Sequence, residues 1–195
     1  MSATSPKADP IVVGVVKDLE DPQKLGRVRV ALPHLENKQS PWARIATLMA
    51  GAGRGSLFRP EVGDEVLVAL LHGDPSQPYV VGALWNEDDT PPEGGGAKEN
   101  HLRTIQSRSG HIVRFNDEPG SERMELIGKD GKLRVLIDVA GGLVAVEADQ
   151  GDVRVKAAQG KVEVKAGQEI TLDAPTITIK ATGTLTLSGA QVAIN

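Results

Sequence analysis

From residue 144 onward the chain repeats one pattern, and few folds can hold it. Seven apolar pairs recur, each split by a single residue: Val144/Val146, Val153/Val155, Val162/Val164, Ile170/Leu172, Ile177/Ile179, Leu185/Leu187 and Val192/Ile194. The steps between pairs are 9, 9, 8, 7, 8 and 7 residues, a mean of eight. The residue inside each pair is Ala145, Arg154, Glu163, Thr171, Thr178, Thr186 or Ala193. Side chains two apart share one side of an extended strand. Each pair therefore marks a very short strand with one apolar face, joined to the next by a tight corner. Strands this short cannot bury that face alone and need stacked neighbours.

A single thin ribbon would leave both of its edges open. Three chains wrapped into a triangular prism would close the edges and the core together. A single-chain β-solenoid or an open β-meander is the alternative, but a solenoid coil holds about three strands and exceeds eight residues. The period thus favours several intertwined chains, with the fourteen paired residues as the core of the prism. Ile170, Leu172, Ile177, Ile179, Leu185 and Leu187 are the strongest candidates.

The rest of the composition agrees with an all-β protein. Gly numbers 22 and Pro 12, mostly between apolar runs, and aromatics make up only 3%. The 22 basic and 26 acidic residues leave a net charge of -4, which gives no general pull toward nucleic acid or anionic lipid. With no Cys there is neither a disulfide framework nor thiol chemistry. The N-terminal Met1-Ser2-Ala3-Thr4-Ser5-Pro6-Lys7 has no apolar signal-peptide core, and no run of about 18 apolar residues exists. The expectation is assembly in the cytoplasm and export by another route.

Four segments are expected. Residues 1–10 form a flexible arm. Residues 11–86 form a small closed barrel, with strand-like runs at 11–16, 26–32, 42–48, 65–71 and 79–84. Residues 87–105 are a linker, because acids, two prolines and Gly94-Gly95-Gly96 suit no regular element. Residues 106–195 form the β-helical domain that carries the repeat. Its first part is hairpin-like, with runs at 101–107 (overlapping the linker), 112–115, 124–127 and 133–139 and turns at Ser109-Gly110, Pro119-Gly120 and Asp130-Gly131.

Several motifs resemble those of contractile-tail spike proteins. Leu25-Gly26-Arg27-Val28-Arg29-Val30, Trp42-Ala43-Arg44, Gly51-Ala52-Gly53-Arg54-Gly55 and Pro60-Glu61-Val62-Gly63-Asp64-Glu65-Val66 are similar to that family's OB-fold domain. Gly73-Asp74-Pro75 through Gly82 continues the pattern, and Ser109-Gly110-His111 with Asp117 to Arg123 resembles the lead into its β-helix. The family includes the phage baseplate spike, the valine–glycine repeat proteins of type VI secretion and spikes of phage-tail-like particles.

The resemblance implies an N-terminal OB-fold barrel followed by a C-terminal intertwined trimeric β-helix. It implies a homotrimer that pierces a target envelope when a sheath contracts, touching the membrane only mechanically. Some ten residues precede the barrel, so the tube hub is expected to be another protein. Residues 86–105 are too short for the lysozyme domain of some phage spikes. No His lies beyond His111, so their iron-binding tip is not expected. The end at Ala193-Ile194-Asn195 looks like a docking face for a PAAR-type tip protein.

Other chemistry finds little support. His34, His72, His101 and His111 have no metal-ligand spacing. Gly51-Ala52-Gly53-Arg54-Gly55-Ser56 lacks the Lys and the helix of a phosphate loop, Glu87-Asp88-Asp89 reads as solvated linker, and no Gly-x-Ser-x-Gly elbow occurs. No cofactor, metal or catalysis is expected. Two rivals are an OB-fold nucleic-acid-binding protein with a trimerising tail and a β-helical polysaccharide-active enzyme. The first needs stacking aromatics over a basic groove, and the barrel's Trp42, Phe58, Tyr79 and Trp85 are scattered. The second needs an acid or His cluster on a solenoid face.

Overall fold

The computed structural model describes residues 9–93 and 98–193. The arm residues 1–8, part of the expected linker and the last two residues, Ile194 and Asn195, lie outside them. Among the described residues all regular structure is β apart from two three-residue 3-10 turns, Pro33–Leu35 and Leu71–Gly73.

The first sheet is built from β1 (Ile11–Asp18), β2 (Arg29–Leu32), β3 (Lys38–Gln39), β4 (Arg44–Ile45), β7 (Glu65–Leu70) and β8 (Pro78–Ala83), in the order β3-β2-β1-β7-β8-β4. All neighbours are antiparallel except β4 and β8. The strands alternate as their sequences do, with Val12 and Val16 of β1 and Val66, Val68 and Leu70 of β7 turned inward. These side chains pack with Val28, Val30, Leu32, Ala43 and Val80 into one apolar core. Two hydrogen bonds then join the flanks of the sheet: Val28 N–H donates to Ala43 O (3.0 Å) and Ala43 N–H to Val28 O (2.7 Å). That bridge satisfies edge groups that would otherwise be open.

The expected strand at 42–48 shrinks to Arg44–Ile45 plus this bridge. Beyond it Thr47 binds Ser56, and the chain turns out into a small hairpin, β5 (Ala50–Gly51) with β6 (Arg54–Gly55). Gly14 faces the core because nothing larger fits. A Cβ there would lie 3.2 Å from both Ala31 O and Val68 Cγ2.

The turn between β1 and β2 is organised by Asp21, only 8% exposed. Its carboxylate accepts from the backbone N–H of Gln23 (3.1 Å), Leu25 (2.9 Å) and Arg27 (3.3 Å), and from Arg27 Nε (3.0 Å) and Nη2 (2.7 Å). The Arg27 guanidinium, with these backbone donors, holds the Asp21 carboxyl far below the usual carboxylate range. Arg59 closes the same turn by donating to Leu19 O (2.7 Å).

The second sheet is a five-stranded antiparallel meander of β9 (Leu102–Gln106), β10 (Ile112–Asn116), β11 (Arg123–Ile127), β12 (Leu133–Asp138) and β13 (Leu143–Ala148). Gly110, Gly120 and Gly131, with φ of 91°, 79° and 74°, sit in its tight turns. Between the sheets, Asn86 Oδ1 accepts from the N–H of Asp88 and Asp89, so the expected linker opens with a capped turn.

Candidate assembly interface

The second sheet has two unlike faces, and the apolar one is the more exposed. Register places Ile105, Val113, Leu126, Val135 and Val146 in one cross-strand row. Phe115, Met124, Ile137 and Val144 form the row beside it. All nine side chains are exposed.

The other face carries the charges. Glu125, 6% exposed, sits among Arg114 (3.2 Å), Arg123 (3.4 Å) and Arg134 (3.4 Å). Arg114 also pairs with Glu93 from the segment after the barrel, and Thr104 Oγ1 donates to Glu93 (2.9 Å). A second tie runs from Arg108 to Glu61 of the barrel (3.0 Å). Within one chain, then, Glu125 at the centre of its arginines is covered and the hydrophobes are not. Contiguous exposed apolar surface of this kind marks an interaction site.

The tail continues the same design without its own ladder. Among the described residues, backbone hydrogen bonding ends where Asp149 N–H donates to Lys132 O (2.9 Å). From residue 152 to 193 the chain shows straight stretches at 152–157, 161–166, 169–174, 176–181 and 184–189, separated by bends. Each stretch holds one apolar pair. The members of these pairs, with Val192, are 50% to 76% exposed. In each of the five complete pairs the first member is less exposed than the second, so one local geometry recurs along the tail.

The structure separates the expected core residues into two groups. Val144 and Val146 belong to β13, hydrogen-bonded to β12, and share their face with the rows of the second sheet. The others lie on the unladdered tail. Val153, Val155, Val162 and Val164 are exposed in the first two stretches. Ile170, Leu172, Ile177 and Ile179 are exposed in the next two, and Leu185, Leu187 and Val192 beyond them. Within one chain these positions are uncovered; the expected core is one shared between chains. Val164, for example, is 69% exposed, because no strand of its own chain is hydrogen-bonded alongside to cover it. Ala193 of the expected tip is exposed too, and Ile194 and Asn195 are outside the described residues.

Reading the repeat only from residue 144 missed the rest of the apolar face. Its signal was present: Val113/Phe115, Met124/Leu126 and Val135/Ile137 are pairs of the same form, at steps of eleven, eleven and nine residues up to Val144.

Among the described residues no group of three or more His, Cys, Asp or Glu side chains is placed to hold a metal ion. Two barrel aromatics are capped by arginine: the Arg29 guanidinium lies 4.8 Å from the Trp42 ring centroid, and Arg44 lies 4.8 Å from that of Tyr79. Arg44 also donates to Tyr79 Oη (2.8 Å). No helix of the described residues is long and apolar enough to cross a membrane.

The barrel itself is diagnostic. Residues 12–85 match the type VI secretion system/phage-baseplate injector OB domain. Over these residues the chain carries that injector OB domain. The chain is 33% identical over 112 residues to the type VI secretion system spike protein VgrG3 of Vibrio cholerae, covering 52% of the chain and 11% of that protein. It is 29% identical over 126 residues to the spike protein VgrG1a of Pseudomonas aeruginosa, covering 58% and 20%. A third relative, the actin cross-linking toxin VgrG1 of Vibrio cholerae, is 30% identical over 112 residues, covering 52% and 10%. The chain thus spans a fifth or less of the length of these relatives.

Proposed function

We propose that this chain is the structural spike at the baseplate of a contractile injection particle, acting as a trimer and carrying no catalysis of its own. The observation that carries the reading is the exposed apolar surface, regular from Ile105 to Val192, directly after an injector OB domain. Three copies would turn these faces toward one axis. The second sheet would form the head of a triangular prism and the tail an intertwined needle. The paired aliphatics from Val144 to Ile194 would form its core. Residues 11–86 would be the barrel collar after an arm at 1–10, and the spike domain, expected at 106–195, would begin with β9 at Leu102, which shortens the expected linker of 87–105 to 87–101. A tube-hub protein would sit on the collar. A PAAR-type tip protein would dock at Ala193, Ile194 and Asn195. Assembly would take place in the cytoplasm, with delivery to or across the target envelope on contraction.

Rigidity is the working principle. A strand shared among three chains cannot peel away without breaking contacts to all of them, so force applied at the collar reaches the tip. Light scattering on purified protein tests this. The full chain should show a mass near three times 20.6 kDa, and removal of residues 101–195 should leave a monomer. A full-length monomer would return the tail to a single-chain solenoid and end the spike reading.

A further inference from the structure

The apolar pairs leave one question open, because Val, Ile and Leu pairs are nearly interchangeable from rung to rung. A stack held by them alone could slip by one repeat at little cost. The opposite side of the tail carries the missing information. Glu163 pairs with Lys161 (2.6 Å) and Lys165, and Thr171 Oγ1 donates to Glu169 (3.1 Å). These contacts between residues two apart put 161, 163 and 165 on one side, and 169 and 171 on one side, alternating with the apolar pairs.

Each rung therefore offers three outward positions: Asp152, Arg154 and Lys156; then Lys161, Glu163 and Lys165; then Glu169, Thr171 and Asp173; then Thr176, Thr178 and Lys180. Stacking rung on rung in the same sense, apolar pair over apolar pair, sets Asp152 against Lys161, Arg154 against Glu163, Lys161 against Glu169, Lys165 against Asp173 and Asp173 against Lys180. Glu147 of β13 meets Lys156. Lys156 against Lys165 is the single like-charged contact. A slip of one rung erases this preference: Asp152 meets Glu169 and Lys165 meets Lys180, and only Glu147 with Lys165 and Lys156 with Asp173 are opposite. A slip the other way sets every charge against its own kind. Among the described residues, Asp152, Arg154, Lys156, Asp173 and Lys180 have no ion pair within the chain, and the tail's intrachain pairs are those of Glu163. Like charges directly opposite are destabilising, and opposite charges stabilise.

We propose that these outward columns are ion-pair ladders between copies of this chain, Arg154 of one copy facing Glu163 of the next, and that they set the register in which the copies stack. The inference rests on the spike reading above. The ladder ends at Lys180, beyond which the outward positions are Thr184, Thr186 and Ser188.

The chain has no Cys, so thiols report contacts cleanly. Full-length R154C/E163C should oxidise to a covalently closed trimer on a non-reducing denaturing gel, because facing residues of adjacent strands come within disulfide reach. R154C/T171C, two rungs apart, should not. In the wild-type background, R154E and E163R should each speed unfolding of the trimer about tenfold, the effect of three copies of an exposed pair. The double reversal should unfold about tenfold more slowly than the product of the singles requires. The lost Lys161 and Lys165 contacts are common to both E163R chains and cancel in that comparison.

Light scattering on the wild type separates the two readings. A wild-type monomer defeats the spike reading and the ladder with it. A wild-type trimer overturns the ladder alone in three cases: R154C/E163C links only within a chain or not at all, R154C/T171C links as readily, or the charge reversals multiply independently.

Discussion

The barrel and the tail are written in the same residues, mostly alternating Val, Ile and Leu, yet one buries them and the other does not. In β1 and β7 the alternation meets itself across the sheet, and Val16, Val66 and Val68 are wholly buried. In the tail Val155, Val164 and Leu172 remain exposed. The difference lies in chain geometry. Six strands and the Val28–Ala43 bridge let the first sheet curl over its own apolar face. A short strand between corners has no hydrogen-bonded partner in its own chain, so its apolar face stays open there. The second sheet stands between the two cases. Its ladder is complete within the chain, but its apolar face is open.

The contrast can be broken at either end. Ile179→Glu should have the largest effect: three unpaired carboxylates would meet in the needle core, and assembly should fail while the barrel still melts cooperatively. A heat-stable trimer of this variant, seen by light scattering, would show that Ile179 is not in the core. In the barrel the converse holds. Leu32→Ala should cost about 2–5 kcal/mol of barrel stability in denaturant unfolding, since Leu32 is fully buried in one chain. The same experiment at Leu172 in an isolated monomer should give almost nothing.

Gly14→Ala is a finer probe of how tightly the barrel closes. Its Cβ would press on Ala31 O, Val68 and Leu32, for a loss of about 1–3 kcal/mol. A neutral result would show that β1 and β2 can move apart.

The smallest expected effect is a pH dependence confined to the barrel. The folded state lowers the Asp21 pKa below its ordinary 3.8, so between the two values the unfolded chain binds more protons. Stability from this carboxylate is complete above about pH 5 and is lost as pH falls through 4 and below. Thermal melts of the barrel should show that loss, and Asp21→Asn should flatten it. An unchanged slope in the variant would assign the acid sensitivity to other groups.

Much of this was legible in the sequence. The runs at 65–71 and 79–84 and the hairpin runs at 112–115 and 124–127 appear as strands within a residue or two, because strict alternation with Gly or Pro turns leaves little else to form. The corners of the tail fall between the apolar pairs as their spacing requires. The run at 42–48 did not become a strand of that length. Its backbone groups are spent on the bridge to Val28 and the parallel contact with β8, and beyond them the Thr47 hydroxyl ties the chain to Ser56.

Local pattern therefore determined which residues are extended, where the chain turns and which side of each strand is apolar, since a period of two is a property of neighbours along the chain. Tertiary structure decided which apolar faces find cover. It closed the barrel through Val28 and Ala43, gathered three arginines around Glu125, and left nine hydrophobes of the second sheet facing outward. Burial depends on which strands meet and how far a sheet can curl, and those are relations between residues far apart in sequence.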